Sequence, residues 1–446
     1  MSGKADHYKE LLTQVFDIGV KAAQPEHAVC SVWKEQVAAW LEQMAPERER
    51  VWVFGAGKAA ASMAKALEDA VQGQENLNGF VITRRGHDVP TVHIEVVQAA
   101  HPVPDEDGQR AARRLHKAIT EVPSTDAVIA LVSGGGSSLL SLPVRDIPFV
   151  DLQQLNRALL SCGAPIDEMN IVRKHVTLTL GGQLAQACKA PVFQMLISDV
   201  PGDDPSSIAS GPFSPDESTF AQAVEVLRRW SVQVPHSISR YLEKGVRGLV
   251  ADTPGKGSLV FRKVTTALLA SNAISLDAVS AHLEKTGYHV LNLGDTLEGE
   301  ASDVAQVHAA MARQIALGRG GWPKPPVAIV SGGECTVTLN DTQMRQARGG
   351  RNSEFMLALV FHLRDLGDVD DLAAMAADTD GIDGIGGHAG AYLLPGDASR
   401  ANSQQLLAQR HLDQHTSYDY FKGLDRLLIS GPTMTNVNDL RVILLG

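Results

Sequence analysis

Val51-Trp52-Val53-Phe54-Gly55-Ala56-Gly57-Lys58-Ala59-Ala60 is an apolar, β-rich run that ends in a glycine turn, with a helix predicted directly behind it and a lysine in its first turn. Glycines let backbone approach a ligand closely, and the free N–H groups of a helix start attract anions. Lys58 adds a full positive charge at the same point. The stretch therefore reads as strand, anion-binding turn and helix, a place to hold phosphate or a small carboxylate.

The same unit recurs along the chain. After two helices over 6–44, separated near Pro25, strand 51–54 leads to helix 58–72, and strands 79–83 and 93–98 lead to helix 105–121. Strand 127–132 runs into Ser133-Gly134-Gly135-Gly136-Ser137-Ser138. Helices are predicted over 151–161 and 167–188, then strand 192–198 and helices 218–230 and 236–245. Ala127-Val128-Ile129-Ala130-Leu131-Val132 is continuously apolar rather than alternating, the pattern of a parallel strand covered on both faces. A polar stretch over 246–260 marks a boundary. Behind it the style repeats, with strands at 263–270, 288–293, 327–330, 335–339 and 372–377, and helices at 274–286, 299–318 and 352–365. The expected fold class is α/β in two domains. Residues 1–250 form a Rossmann-like, doubly wound, mostly parallel sheet, residues 258–425 a smaller α/β domain, and 426–446 a tail of short strands returning to the interface.

Bulk properties narrow the function. A net charge of −11 argues against nucleic acid as a partner, because duplex binders carry a basic patch. The four cysteines (Cys30, Cys162, Cys188, Cys335) are scattered without a CxxC pair, so neither a zinc site nor a disulfide frame is expected. The polar start lacks the apolar core of a signal peptide, and no run of about 18 apolar residues predicts a membrane span. A cytoplasmic protein is the simplest reading.

Ligands of open α/β sheets bind at the carboxyl ends of strands, and the unusual residues fall there. Ser133 to Ser138 offers backbone N–H groups and hydroxyls to phosphate, although no GxxxxGK[ST] loop exists. Gly55 and Gly57 begin a GxGxxA pattern. With Thr83-Arg84-Arg85 in place of an acid at the second strand, that pattern would suit NADP rather than NAD. Asp378, Asp380 and Asp383, and separately Asp199, Asp203 and Asp204, are oxygen ligands of the kind that hold Mg²⁺ with phosphate. The competing reading of each is a helix cap or solvated turn. Arg351, behind Gly349-Gly350, can clamp a carboxylate or phosphate, or pair with Glu354 or another acid. His101 and His175 are candidate acid/base groups but read more readily as packed or surface histidines. Arg173 and Lys174 are the better candidates for anion contact.

Taken together, Gly55-Ala-Gly-Lys-Ala, His101-Pro-Val-Pro-Asp, Ser133-Gly-Gly-Gly-Ser-Ser, Asn170-Ile-Val-Arg-Lys-His, Ser198-Asp-Val-Pro-Gly-Asp, Ser210-Gly-Pro, Ser331-Gly-Gly-Glu, Gly349-Gly-Arg-Asn-Ser-Glu, Asp378-Thr-Asp-Gly-Ile-Asp-Gly and Thr435-Asn-Val-Asn-Asp resemble the class II glycerate kinases, whose C-terminal half is called the MOFRL domain. The match spans nearly the whole chain in the right order. The resemblance implies two α/β domains with the site in the cleft between them. It implies ATP- and Mg²⁺-dependent phosphorylation of D-glycerate at its 2-hydroxyl, giving 2-phosphoglycerate and ADP. It maps a catalytic lysine onto Lys58, a substrate-charge arginine onto Arg351, a catalytic acid onto Asp378 or Asp380, and a metal-side acid onto Asp199. The nucleotide falls to Gly55, Gly57 and the loop Ser133, Gly134, Gly135, Gly136, Ser137 and Ser138. A homodimer is a candidate assembly. Members often carry the label hydroxypyruvate reductase, and an NADP-dependent reductase is the rival enzyme reading. A non-catalytic sugar-acid sensor is the third.

Overall fold

In the computed structural model, which describes residues 2–339, 343–364 and 371–446, the opening stretch becomes strand β1 (Val51–Ala56). It is joined by β2 (Leu77–Arg84), β3 (Ile94–Ala99), β4 (Ala127–Ser133), β5 (Val192–Ile197) and β6 (Val264–Ala270) in one six-stranded sheet of order β3-β2-β1-β4-β5-β6. The pairings β3/β2, β2/β1, β1/β4 and β4/β5 are all parallel. The continuous apolar runs have the expected cause, since every residue of β4 and β5 is buried. Helix Ala60–Val71 returns from β1 to β2 on an alanine-rich face, with Ala60, Ala61 and Ala64 wholly buried. Strand order builds outward from β1 to β3 and then resumes on the other side with β4. Beyond the carboxyl ends of β1 and β4, neighbouring connections leave in opposite directions and open a crevice. This is the topological switch point where open α/β sheets bind ligands.

One predicted helix divides. The span 167–188 is helix Ile166–Val176 and a short helix Gln183–Ala187. Gly181 and Gly182 adopt left-handed φ of +59° and +76°, and their N–H groups donate to the Ser210 and Gly211 carbonyls (2.9 and 2.7 Å) instead of continuing a helix. Helix 352–365 is Arg351–Leu363, its last predicted residue lying outside the described residues.

The compact units do not follow the boundary expected at 246–260. One unit comprises Pro25–Ser198 with Asp203–Leu269, so β6 completes the first sheet instead of opening the second domain. The other comprises Met1–Gln24, Asp199–Gly202 and Ala270–Gly446. Its N-terminal helix is drawn in by apolar burial: Leu12, Val15 and Phe16 share a core with Leu276, Val279 and Leu440. The Ser275 hydroxyl also donates to the Gly19 carbonyl at 2.8 Å. Sequence order alone does not reveal such long-range partners.

The second unit is built on β7 (His289–Asn292), β9 (Val327–Ser331), β11 (Leu372–Asp378), β12 (Gly390–Leu393), β13 (Leu427–Leu428) and β14 (Asp439–Leu445), in the order β13-β12-β11-β14-β9-β7. The strands omitted from that count, β8 (Glu298–Glu300) and β10 (Glu334–Thr336), pair with each other in parallel. The β7/β9 pair is parallel; β9/β14, β14/β11, β11/β12 and β12/β13 are antiparallel. The last strand of the chain therefore lies inside the sheet. Each of its seven residues is buried, two of them charged.

Candidate active site

The switch point of the first sheet staples two loops together. Gly57 leaves β1 with φ +141°, the Lys58 N–H donates to the Gly134 carbonyl at 2.9 Å, and the Ala59 N–H donates to the Ser133 hydroxyl oxygen at 3.0 Å. From the end of β2 the Thr83 hydroxyl donates to the Gly57 carbonyl at 3.1 Å. A Cβ on Gly57 would stand 2.1 Å from Ser133 Oγ, and one on Gly55 2.0 Å from the Leu131 carbonyl oxygen. These glycines are required by the close approach of β1 and β4, whatever ligand sits above them. Ser133 is wholly buried and braces the Lys58 turn. Lys58 itself sits in the turn, just before the helix that starts at Ala60.

Gly135 is left-handed (φ +79°) and leads into the single turn Gly136–Leu139. Ser137 Oγ and Ser210 Oγ are 2.8 Å apart, and the Ser138 hydroxyl donates to the Gly135 carbonyl at 3.2 Å. Among the described residues, none of the N–H groups of Gly134, Gly135 and Gly136 meets a protein acceptor. Three neighbouring backbone donors without a protein acceptor are a set that an anion could accept from.

His101 lies against this loop. A Cβ on Gly135 would be 3.0 Å from His101 Nε2 and 3.4 Å from Lys58 Cγ. Burial, with Lys58, Arg84, His87 and Arg173 nearby, pushes its pKa down to about 4, so the imidazole is neutral at pH 7. His175 is a packed side chain: its ring meets Phe220 at 4.7 Å and its Nδ1 lies 2.8 Å from the Ile171 carbonyl. Arg85 is taken by Asp105 and Asp107, each at 2.6 Å, which removes one of the two arginines that made a 2′-phosphate pocket attractive.

In the other unit Arg351 starts helix Arg351–Leu363 and meets three carboxylates. Its Nε donates to Asp439 (2.8 Å), Nη1 to Glu334 (2.6 Å) and Nη2 to Asp378 (2.9 Å). Burial alone would lower its pKa, but Asp439, Asp378 and Glu334 outweigh that and raise it well above the usual arginine value. Asp439 also accepts from Asn352 (2.7 Å) and from Arg441 in the next-but-one position of β14. Burial would raise the Asp439 carboxyl, yet the two guanidinium groups hold it below the ordinary value. Glu354 is not Arg351's partner, because it pairs with His415 at 3.0 Å.

The acidic turn divides its labour. Asp378 holds Arg351 and accepts the Asp380 N–H (3.0 Å), while Asp380 accepts the Ile382 N–H (2.8 Å) and is 3% exposed. Asp383 caps the Arg351 helix, accepting the Asn352 and Ser353 N–H groups at 2.9 and 2.8 Å. In the other acidic stretch Asp204 forms a local turn with Ser206. Asp199 is held by the C-terminal motif: Asn436 Nδ2 donates to its carboxylate (2.9 Å) and Asn438 Nδ2 to its carbonyl (2.5 Å). Among the described residues no three His, Cys, Asp or Glu side chains converge as a metal nest.

Asp439, Arg441 and the two asparagines were not singled out from sequence as site residues. The signal was present in Asn438-Asp439-Leu440-Arg441, where charge interrupts an otherwise apolar terminal strand.

The MOFRL family model matches residues 327–439, and a domain of unknown function matches 11–243. A protein of Agrobacterium vitis whose name carries the hydroxypyruvate reductase label is 41% identical, over 98% of this chain and 94% of its own length. The glycerate 2-kinase of Pyrococcus horikoshii is 34% identical, covering 97% and 96%. A crystal structure of glycerate kinase from Thermotoga maritima superimposes with a TM-score of 0.83 at 30% identity, covering 99% of this chain and all of that one. No helix among the described residues is long and apolar enough to cross a membrane. Full-length likeness at this level settles the family: the chain belongs to the glycerate 2-kinase family of enzymes.

Proposed function

We propose that the chain transfers the γ-phosphoryl group of ATP to the 2-hydroxyl of D-glycerate, giving 2-phosphoglycerate and ADP. The observation that carries this reading is the loop Gly134–Gly136, whose N–H groups meet no acceptor among the described residues, hydrogen-bonded to the Lys58 turn at the switch point of a Rossmann-like sheet.

In this reading the loop N–H groups, with Ser137 and Ser138 shaping it, take the nucleotide phosphates. Lys58 neutralises charge on the transferring group, which is mostly spread over its equatorial oxygens. Arg351 binds the glycerate carboxylate through its planar fork. Three acids already surround it, and the half-exposed Glu334 is the one best able to yield. The ion pair with Arg351 gives Asp378 a holding role, so Asp380 is proposed to accept the 2-hydroxyl proton. Mg²⁺ fits the donors here only as an ion that arrives with phosphate, because no protein nest of three ligands exists among the described residues. Asp199, braced by Asn436, would hold it, and its chemistry would be to neutralise phosphate charge. The hydroxypyruvate reductase reading is less supported, with Arg85 already paired.

An enolase-coupled assay tests the reading, since enolase dehydrates 2-phosphoglycerate and not the 3-isomer. Glycerate-dependent signal with ATP is expected. Substitution Lys58→Ala should lower kcat about 10²–10³-fold with little change in glycerate KM, the mark of a group acting in the transition state. An equal loss in both would overturn that role.

A further inference from the structure

Asn170-Ile171-Val172-Arg173-Lys174-His175 places three basic side chains at the end of one helix, and the proposed transfer uses none of them. His175 is packed on Phe220. Lys174 is paired with Asp216 at 3.2 Å, both buried. Arg173 differs from both. It is 8% exposed, yet its Nε donates to the amide oxygen of Asn156 (3.0 Å) and its Nη1 to that of Asn170 (3.2 Å). Asn156 is itself anchored, its Nδ2 donating to the Leu152 carbonyl at 3.0 Å.

Among the described residues no carboxylate pairs with Arg173, and its Nη2 makes no hydrogen bond. Burial drives its pKa down to about 10. Proteins that take a guanidinium out of water normally supply an acid, because an uncompensated buried charge is strongly unfavourable. Here the surroundings are more positive instead. Arg173, Arg84, Lys58 and His87 all act on His101, and His101 lies against Gly135 of the loop whose N–H groups meet no acceptor among the described residues. The amides fix the guanidinium without neutralising it, which is how a site for an external anion is built.

We infer that Arg173, with Arg84, His101 and the Gly134–Gly136 loop, forms a binding site for a phosphate group, and that Arg173 is its buried counter-charge. The assignment of that phosphate to the reaction rests on the kinase reading. The chemistry does not distinguish a nucleotide phosphate tail from the phosphate of the phosphorylated product.

The test uses the whole chain with ¹³C-labelled histidine, followed by NMR, with H101Q assigning the His101 resonance. Inorganic phosphate, ADP and 2-phosphoglycerate are titrated separately, and D-glycerate serves as the control. At least one phosphate species should move the His101 signal and raise its pKa from about 4. R173M should bind that species about tenfold or more weakly, the range expected for lost charge-assisted bonds, with D-glycerate affinity unchanged; R173K should lie between. A response to ADP alone assigns the nucleotide tail, and a response to 2-phosphoglycerate alone assigns the product phosphate. If no phosphate species moves His101, the inference is wrong. It is equally wrong if R173M folds and binds all three as the parent does. Should R173M not fold, the His101 titration of the parent decides. A His101 response in a chain without glycerate kinase activity would sink the kinase reading and keep the site.

Discussion

Asp439→Asn is the substitution that most sharply probes the charge cluster of β14. Asp439 is wholly buried and accepts from Arg351, Asn352 and Arg441. Asparagine keeps its shape and removes its charge. Arg351 would retain Glu334 and Asp378, but the Arg441 guanidinium, 1% exposed, would lose its only carboxylate among the described residues. Breaking a buried pair by removing one partner is destabilising by about 3–5 kcal/mol. For a unit of this size that is roughly 6–20 °C in the melting temperature. Differential scanning calorimetry of the parent, D439N, R441M and the double variant reads it. D439N should lose most of that stability, and the double variant should lose less than the two singles combined, with a coupling of about 1–3 kcal/mol. A loss below about 1 kcal/mol in D439N, or additive singles, would refute the reasoning that D439N leaves Arg441 as an uncompensated buried charge.

Other outcomes follow from the same geometry. Gly57→Ala forces a Cβ into Ser133 Oγ at an unfavourable φ, so ATP affinity measured by calorimetry should fall along with stability, the latter by about 2 kcal/mol or more; full ATP affinity would mean the turn can relax. Arg351→Lys removes the fork while keeping the charge, and should raise the glycerate KM at least about tenfold with ATP KM little changed; an unchanged glycerate KM would remove Arg351 from the carboxylate role. Asp380→Asn should flatten the acid limb of the kcat–pH profile while Asp378→Asn chiefly raises glycerate KM, and the reverse pattern would exchange their roles. His101 and His308 both have folded pKa values lowered by burial from 6.5 to about 4. The unfolded chain therefore takes up protons below pH 6.5 that the native state refuses. Stability should fall between pH 6.5 and 4, by about 3 kcal/mol for each histidine at the acid end. Urea midpoints across that window test this, and a flat profile would contradict it.

Much of the architecture was legible because the physical signals were local. Continuous apolar strands and glycine turns located β1, β4 and β5, and the strand-end rule directed attention to Lys58, the Ser133 loop, Arg351 and the Asp378 turn. Signals carried by distant partners were not legible. The helix at the N-terminus is amphipathic in sequence, but nothing in it says that its core lies beside Leu276 and Leu440. Strand β6 is a strand in either domain; only pairing shows that it closes the first sheet. The acidic turns illustrate why composition alone cannot assign roles. Asp383 is a helix cap and Asp204 a turn former, whereas Asp378 meets Arg351, and the three types of use differ only in what the fold brings opposite them. Ser133 shows the same point, since its hydroxyl oxygen accepts the Ala59 N–H and braces the turn, a contact that residue identity alone does not disclose.

The most direct test of phosphoryl transfer to glycerate is ³¹P NMR of the chain with ATP, Mg²⁺ and D-glycerate, run beside a parallel mixture of hydroxypyruvate and NADPH followed by absorbance. A 2-phosphoglycerate resonance is expected to grow in step with ADP, with no loss of NADPH. NADPH consumption with no phosphorylated glycerate would contradict it and make the Gly55–Lys58 turn a dinucleotide site.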